Sequence, residues 1–141
     1  MENNMKLEFQ SKSQNEGFAR AAVAAFVSQL DPTLEEIADI KTAVSEAVTN
    51  AIVHGYGHPE GIVTITCRLI HKKAEIKVID TGRGIEDIAL ATQPLYSHSA
   101  DTERSGMGFT VMETFMDSMT VESAPGEGTT VTLIKEIGTD S

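Results

Sequence analysis

In the stretch SEAVTNAIVHG, residues 45 to 55, Glu46, Asn50 and His54 recur at four-residue intervals among small and apolar neighbours. Residues four apart lie nearly above one another on a helix. The segment therefore carries a polar line, flanked by Val44, Ala47, Val48, Ala51 and Ile52. At a helix surface such a line is ordinary. Aimed at a shared cavity, it would set a proton-accepting carboxylate beside a carboxamide able to donate and accept.

A second candidate is IKVIDTGRG, residues 76 to 84. In a strand, Ile76, Val78 and Asp80 share one face. The first two are apolar, so Asp80 is carried to the strand end on the buried side. A carboxylate there needs donors to offset its lost hydration. Two readings are open. Asp80 caps the following turn, with Gly82 and Gly84 supplying turn geometry. Alternatively it accepts a hydrogen bond from a ligand amino group, and the glycines let a ligand ring lie against the backbone.

In ERSGMGF, residues 103 to 109, Gly106 and Gly108 flank Met107 at the expected start of a helix. Free N–H groups at that positive end suit phosphate, and Arg104 and Ser105 add donors just before it. Alone, Gly-x-Gly is a weak signal that loops use freely. Neither a P-loop nor a dinucleotide GxGxxG pattern is present. In EGTTVTL, Thr129, Val131 and Leu133 share a strand face, which puts the Thr129 hydroxyl on the same inner side as Asp80. Threonine in such a strand is also plain strand propensity.

The elements that position these residues follow from periodicity. KLEFQSK alternates and reads as a first strand. From Asn15 an amphipathic helix is expected, with Phe18, Ala22, Ala25, Phe26 and Leu30 on its apolar face. Residues 31 to 33 break it, and Thr33 with Glu36 makes a capping box for a second helix that stops near Gly55 or Gly57. GIVTITCRLI and AEIKVID read as a hairpin turning at residues 71 to 73. A short helical piece and a polar loop from Gln93 to Arg104 come next. SGMGFTVMETFMDSM reads as a third long helix, and TVESA and TTVTLIKEI as two closing strands. The expectation is one domain over residues 1–141 in the α+β class, a two-layer sandwich. Its mixed, mostly antiparallel sheet is covered on one face by helices.

Composition narrows the function classes. The 141 residues are 40% apolar and 23% charged, as in an ordinary globular domain. A formal charge of −10 argues against coating nucleic acid, which needs clustered Lys and Arg. Cys67 is the one cysteine, so no intrachain disulfide forms, and its place in a strand reads as packing. With no apolar signal region and no apolar run of spanning length, no membrane attachment and a cytoplasmic location are expected. Met107, Met112, Met116 and Met119 read as core filler. Arg20 sits off the expected apolar face of the first helix and reads as solvent-facing.

In order, Glu46-x-x-x-Asn50 on a helix, Asp-x-Gly-x-Gly at a strand end, a loop into Gly-x-Gly and Gly-Thr on a late strand resemble the ATP-binding domain of the gyrase, Hsp90, histidine kinase and MutL superfamily. The resemblance covers almost the whole chain and implies a Bergerat-type fold. SEAVTNAIVHGY, QPL, ERSGMGFTVMETFMD and NEGFAR are similar to the serine-kinase anti-sigma factors, on the sporulation side of that group.

That resemblance implies an ATP-dependent protein serine kinase that inhibits a sigma factor and phosphorylates an anti-anti-sigma protein. It implies ATP or ADP with Mg2+, and a homodimer. Asn50 would hold the metal against the phosphates, and Glu46 would take the proton of the attacking serine. Asp80 would read the adenine amino group with help from Thr129, and Gly82 and Gly84 would admit the ring. Ser105, Gly106, Met107 and Gly108 would wrap the phosphates while Arg104 neutralises them. Arg20 would dock a partner. His54 is expected to make a hydrogen bond near the helix end. Where relatives carry Thr-Thr-Lys in the lid, this chain has Ser97, His98 and Ser99, which removes a lysine and should weaken phosphate binding. The alternatives are a stress-type kinase of the same group or an ATP-gated binding module without transfer.

Overall fold

The first alternating segment forms strand β1 (Glu2–Gln10), longer than its patterned part because the polar residues before it also pair. The computed structural model describes residues 2–56, 61–82 and 109–138. Helix α1 (Asn15–Val27) follows and runs into a 3-10 turn, Ser28–Leu30. Its buried residues are Ala19, Val23, Ala24 and Val27. This corrects the expected face, since Phe18 is 56% exposed and Ala22, Ala25 and Phe26 are not fully buried. The spacing of 19, 23 and 27 is as regular as that of 18, 22 and 26. Alanines fit either face, so the large Phe side chains mislead the assignment.

The chain reverses at Asp31, whose φ of 54° lies in the left-handed region that Asp tolerates better than most residues. Helix α2 (Leu34–Asn50) then opens on the expected capping box. Glu36 N–H donates to Thr33 Oγ1 at 3.0 Å, and Thr33 N–H donates to Glu36 Oε1 at 2.8 Å. The other Glu36 oxygen accepts from Gly138 N–H at 2.9 Å, tying the helix start to the end of the last strand. Packing of α2 against α1 and the sheet buries Ile40, Ala43, Val44, Ala47 and Val48. Each buried Val or Ile contributes roughly 1.5–3 kcal/mol of transfer free energy. Directly after Asn50 the helix widens into a π-helical turn, Ala51–Tyr56.

Strands β2 (Ile62–Ile70) and β3 (Lys73–Asp80) form the expected hairpin, turning through His71 and Lys72. A helix occupies 109–115 (α3). Strands β4 (Ser118–Ala124) and β5 (Gly128–Glu136) pair as the last hairpin. The third helix therefore ends earlier than its apolar residues suggest. Ser118 already pairs with Ile134, and Met119 belongs to the sheet. The glycines expected to open that helix lie outside the described residues, as do the short helical piece and the polar loop.

The strand order is β1-β2-β3-β5-β4, and every described pairing is antiparallel. The α+β class holds, while the parallel pairing a mixed sheet would contain is not present among the described strands. On the inner face Ile65, Val78, Val131 and Val121 form one cross-strand row, and Cys67, Ile76, Leu133 and Met119 the next. Helices cover this face. Burial pushes the Cys67 thiol up to about 12, in keeping with an inert packing residue. Lys135 fastens the layers together. Its Nζ lies 3.3 Å from Asp39 Oδ2 on α2 and donates to the Phe115 carbonyl at 2.9 Å. A cation at that C-terminal turn of α3 also complements the helix dipole.

Candidate functional site

One end of the inner face is polar. Asp80 ends β3 opposite Thr129 of β5, and Thr129 lies opposite Ser123 of β4. The alternation that buries Ile76 and Val78 thus also buries Asp80, which is 6% exposed. Its Oδ1 accepts from Gly82 N–H at 3.0 Å, so the turn-capping reading is realised. Burial holds the carboxyl above its ordinary pKa, and the N–H groups of Gly82 and Thr129 pull it back part of the way. An ionised carboxylate has about four lone-pair positions. Among the described residues only the Gly82 and Thr129 N–H groups use them, which leaves capacity for a further donor.

Gly128 enforces this geometry, and sequence reasoning did not single it out as a site residue. Its φ is 85°, and a Cβ there would collide with the Asp80 carbonyl oxygen and lie 2.6 Å from Thr81 Cα. The GEGT turn carried part of the signal. The close approach itself comes from the β3–β5 register, which joins residues far apart in the chain.

Asn50 ends α2 at 7% exposed, and neither its Oδ1 nor its Nδ2 has a hydrogen-bond partner among the described residues. Leaving a buried amide unpaired costs about 1–3 kcal/mol, so the position asks for a ligand. The π-helical turn after it packs on β3 and β5, holding this end of α2 against the strands that carry Asp80 and Thr129. Such turns recur at functional sites. An amide oxygen is a suitable hard donor for Mg2+, an ion that keeps several waters and takes few protein ligands. The residues present fit that group.

Glu46, one turn earlier, has different surroundings. It is half-buried and lines an open groove of about 450 Å³ with Arg20, Ala38, Lys41, Thr42 and Ser45. Arg20 is not simply solvated. Its guanidinium lies 3.5 Å from Glu16 on the same helix, with 43% of the side chain exposed, and it faces the groove that holds Glu46. The structure therefore brings together Asp80, Gly82 and Thr129, and separately Glu46 and Arg20. Gly84, Ser97 to Ser99, Arg104, Ser105, Gly106, Met107 and Gly108 lie outside the described residues, as does the side chain of His54.

Residues 9–135 match the model of the histidine kinase-like ATPase domain family. The chain is 62% identical over 138 residues to the anti-sigma F factor of Thermoanaerobacter sp. (strain X514), covering 98% of this chain and 96% of that one. It is also 62% identical over 136 residues to the anti-sigma F factor of Clostridium novyi (strain NT), covering 96% and 95%. Among solved structures it resembles that of the RsbU and RsbW domains of Rv1364c from Mycobacterium tuberculosis. There the TM-score is 0.67 at 21% identity, over 96% of this chain and 32% of that one. A blue-light activated histidine kinase of Erythrobacter litoralis, EL346, gives a TM-score of 0.59 at 19% identity, over 85% and 41%. Both structural likenesses concern the fold.

Proposed function

This chain belongs to the anti-sigma F factor family and carries a histidine kinase-like ATPase domain; on that premise we propose that it restrains a sporulation sigma factor and phosphorylates a serine of an anti-anti-sigma partner. Asp80 and Thr129 read the adenine amino group, and Gly82 and Gly84 admit the ring. Asn50 would hold Mg2+ through Oδ1, and the bound ion would supply positive charge beside the phosphates. Arg104, Ser105, Gly106, Met107 and Gly108 wrap the phosphate end.

Glu46 takes the proton of the partner's serine hydroxyl as its oxygen attacks the γ-phosphorus. The bond from the γ-phosphorus to the ADP oxygen breaks as the bond to the serine oxygen forms, and ADP leaves. Because Glu46 opens on the groove that Arg20 also lines, a partner docked there brings its serine to the base. The arrangement acts mainly by positioning and electrostatics, with the base adding to both. A homodimer is part of the proposal, and β1 offers a sheet edge for it.

The observation that carries this reading is the unpartnered, buried amide of Asn50. Asn50→Ala removes it without breaking a hydrogen bond of the described fold, so thermal stability of the free protein should hold. Calorimetry with ATP and Mg2+ should show roughly tenfold weaker binding or more, the scale of a lost charge-assisted contact. Unchanged binding would take Asn50 out of the nucleotide site.

A further inference from the structure

The row Asp80, Thr129, Ser123 crosses three neighbouring strands, and the row behind it, Val78, Val131 and Val121, is apolar. Ser123 has no role in the site as assigned above. Its Oγ donates to the Gly128 carbonyl at 2.8 Å and lies 2.8 Å from Thr129 Oγ1. A serine hydroxyl carries one proton, and a carbonyl oxygen can only accept. Were that proton turned to Thr129, the Ser123 and Gly128 oxygens would oppose each other lone pair to lone pair at 2.8 Å. The Ser123 proton therefore points to Gly128, and the Thr129 hydroxyl donates to Ser123. With its own proton committed, Thr129 offers only lone pairs to anything else at that end of the sheet. Asp80 as a carboxylate is acceptor-only as well.

We infer that Ser123 is a positioning residue that fixes Thr129 as a hydrogen-bond acceptor, so that Asp80 and Thr129 together select a six-amino purine over a six-oxo purine. The inference rests on the reading of Asp80 and Thr129 as the base-contacting pair. A six-amino group brings two N–H donors to two acceptors. A six-oxo group brings lone pairs against lone pairs, and a site whose polar groups are left unmatched rejects such an analogue strongly. A hydroxyl free to rotate would tolerate either base by switching from acceptor to donor. Ser123 removes that freedom.

The test compares ATP with inosine triphosphate, whose base has a six-oxo group and an N1–H in place of the six-amino group and the bare N1, by calorimetry in Mg2+. Wild type should prefer ATP. Ser123→Ala should narrow the ATP-to-inosine-triphosphate preference by about three- to tenfold, the scale of one hydrogen bond of changed polarity. In a Thr129→Val background the same change should leave the preference where it was, because the coupling runs through Thr129. A wild type without preference would overturn the inference. So would equal weakening of both nucleotides by Ser123→Ala, an unmoved preference, or an effect that persists without the Thr129 hydroxyl. Asp80→Asn, run alongside, separates the failures. If it leaves ATP affinity unchanged, the base-contacting site itself falls and Ser123 with it. If it weakens ATP while Ser123→Ala leaves the preference intact, only the role of Ser123 is lost.

Discussion

Burial raises the proton affinity of the Asp80 carboxyl, so keeping it charged destabilises the free fold at pH above its folded pKa. As pH falls through that value the cost is relieved. Asp80→Asn removes it at every pH while keeping an oxygen for Gly82 N–H. Melting of the free variant at neutral pH should therefore match or exceed that of wild type. ATP affinity should fall by about 1–3 kcal/mol, because an amide donor now faces the adenine amino group. Melting curves with and without ATP check both halves. Gly128→Ala acts differently. It forces a Cβ into the Asp80–Thr81 backbone at positive φ, so it should lower the melting temperature and ATP affinity together, by about 1–3 kcal/mol or more in stability. That Asp80 and Thr129 share the inner face was readable from alternation alone. The Gly128 contact and the Ser123 hydroxyl chain were not, because each depends on a register between strands distant in sequence.

The first turns of helix α2 are held by features of different legibility. Its capping box was visible as Thr33 and Glu36, three residues apart, since both partners are local. The third bond of Glu36, from Gly138, and the tie from Lys135 to Asp39 were invisible because they join residues 102 and 96 positions apart in the chain. Backbone donors from Thr33 and Gly138 hold the Glu36 carboxyl below its ordinary value of 4.5. A depressed folded pKa contributes stability that is present above that ordinary value and lost as pH falls through the folded one. Glu36→Gln should therefore flatten the acid side of the stability profile, and Thr33→Ala should cost about 1 kcal/mol. Urea melts across an acid pH series would reveal either effect, and an unchanged profile for Glu36→Gln would contradict it. The α1 face and the end of α3 were misjudged for opposite reasons. Alanines gave the first two equally good apolar stripes, and a methionine at helical spacing in the second belongs to a strand.

Across the whole molecule, two layers divide the work. The sheet end carries the row proposed to meet the base, and α2 presents the buried amide of Asn50 and, one turn earlier, Glu46 on the groove shared with Arg20. Arg20→Ala should weaken partner binding and leave nucleotide affinity unchanged, since α1 carries no residue of the nucleotide site. Parallel titrations with partner and with ATP distinguish the two. Among the described residues no helix is long and apolar enough to cross a membrane. Glu46→Gln isolates phosphoryl transfer from this site by removing the proposed proton acceptor at nearly constant volume. A positioned base contributes about 10²- to 10⁴-fold. The measurement is single-turnover transfer of labelled phosphate from ATP, with Mg2+, to the serine of an anti-anti-sigma protein, beside nucleotide and sigma-factor binding on the same preparation. The proposed base role of Glu46 in transfer predicts that wild type transfers, and that Glu46→Gln binds both ligands as wild type does but transfers slower by that factor. Transfer by Glu46→Gln at the wild-type rate, or a wild type that binds ATP and transfers to no such partner, would contradict it.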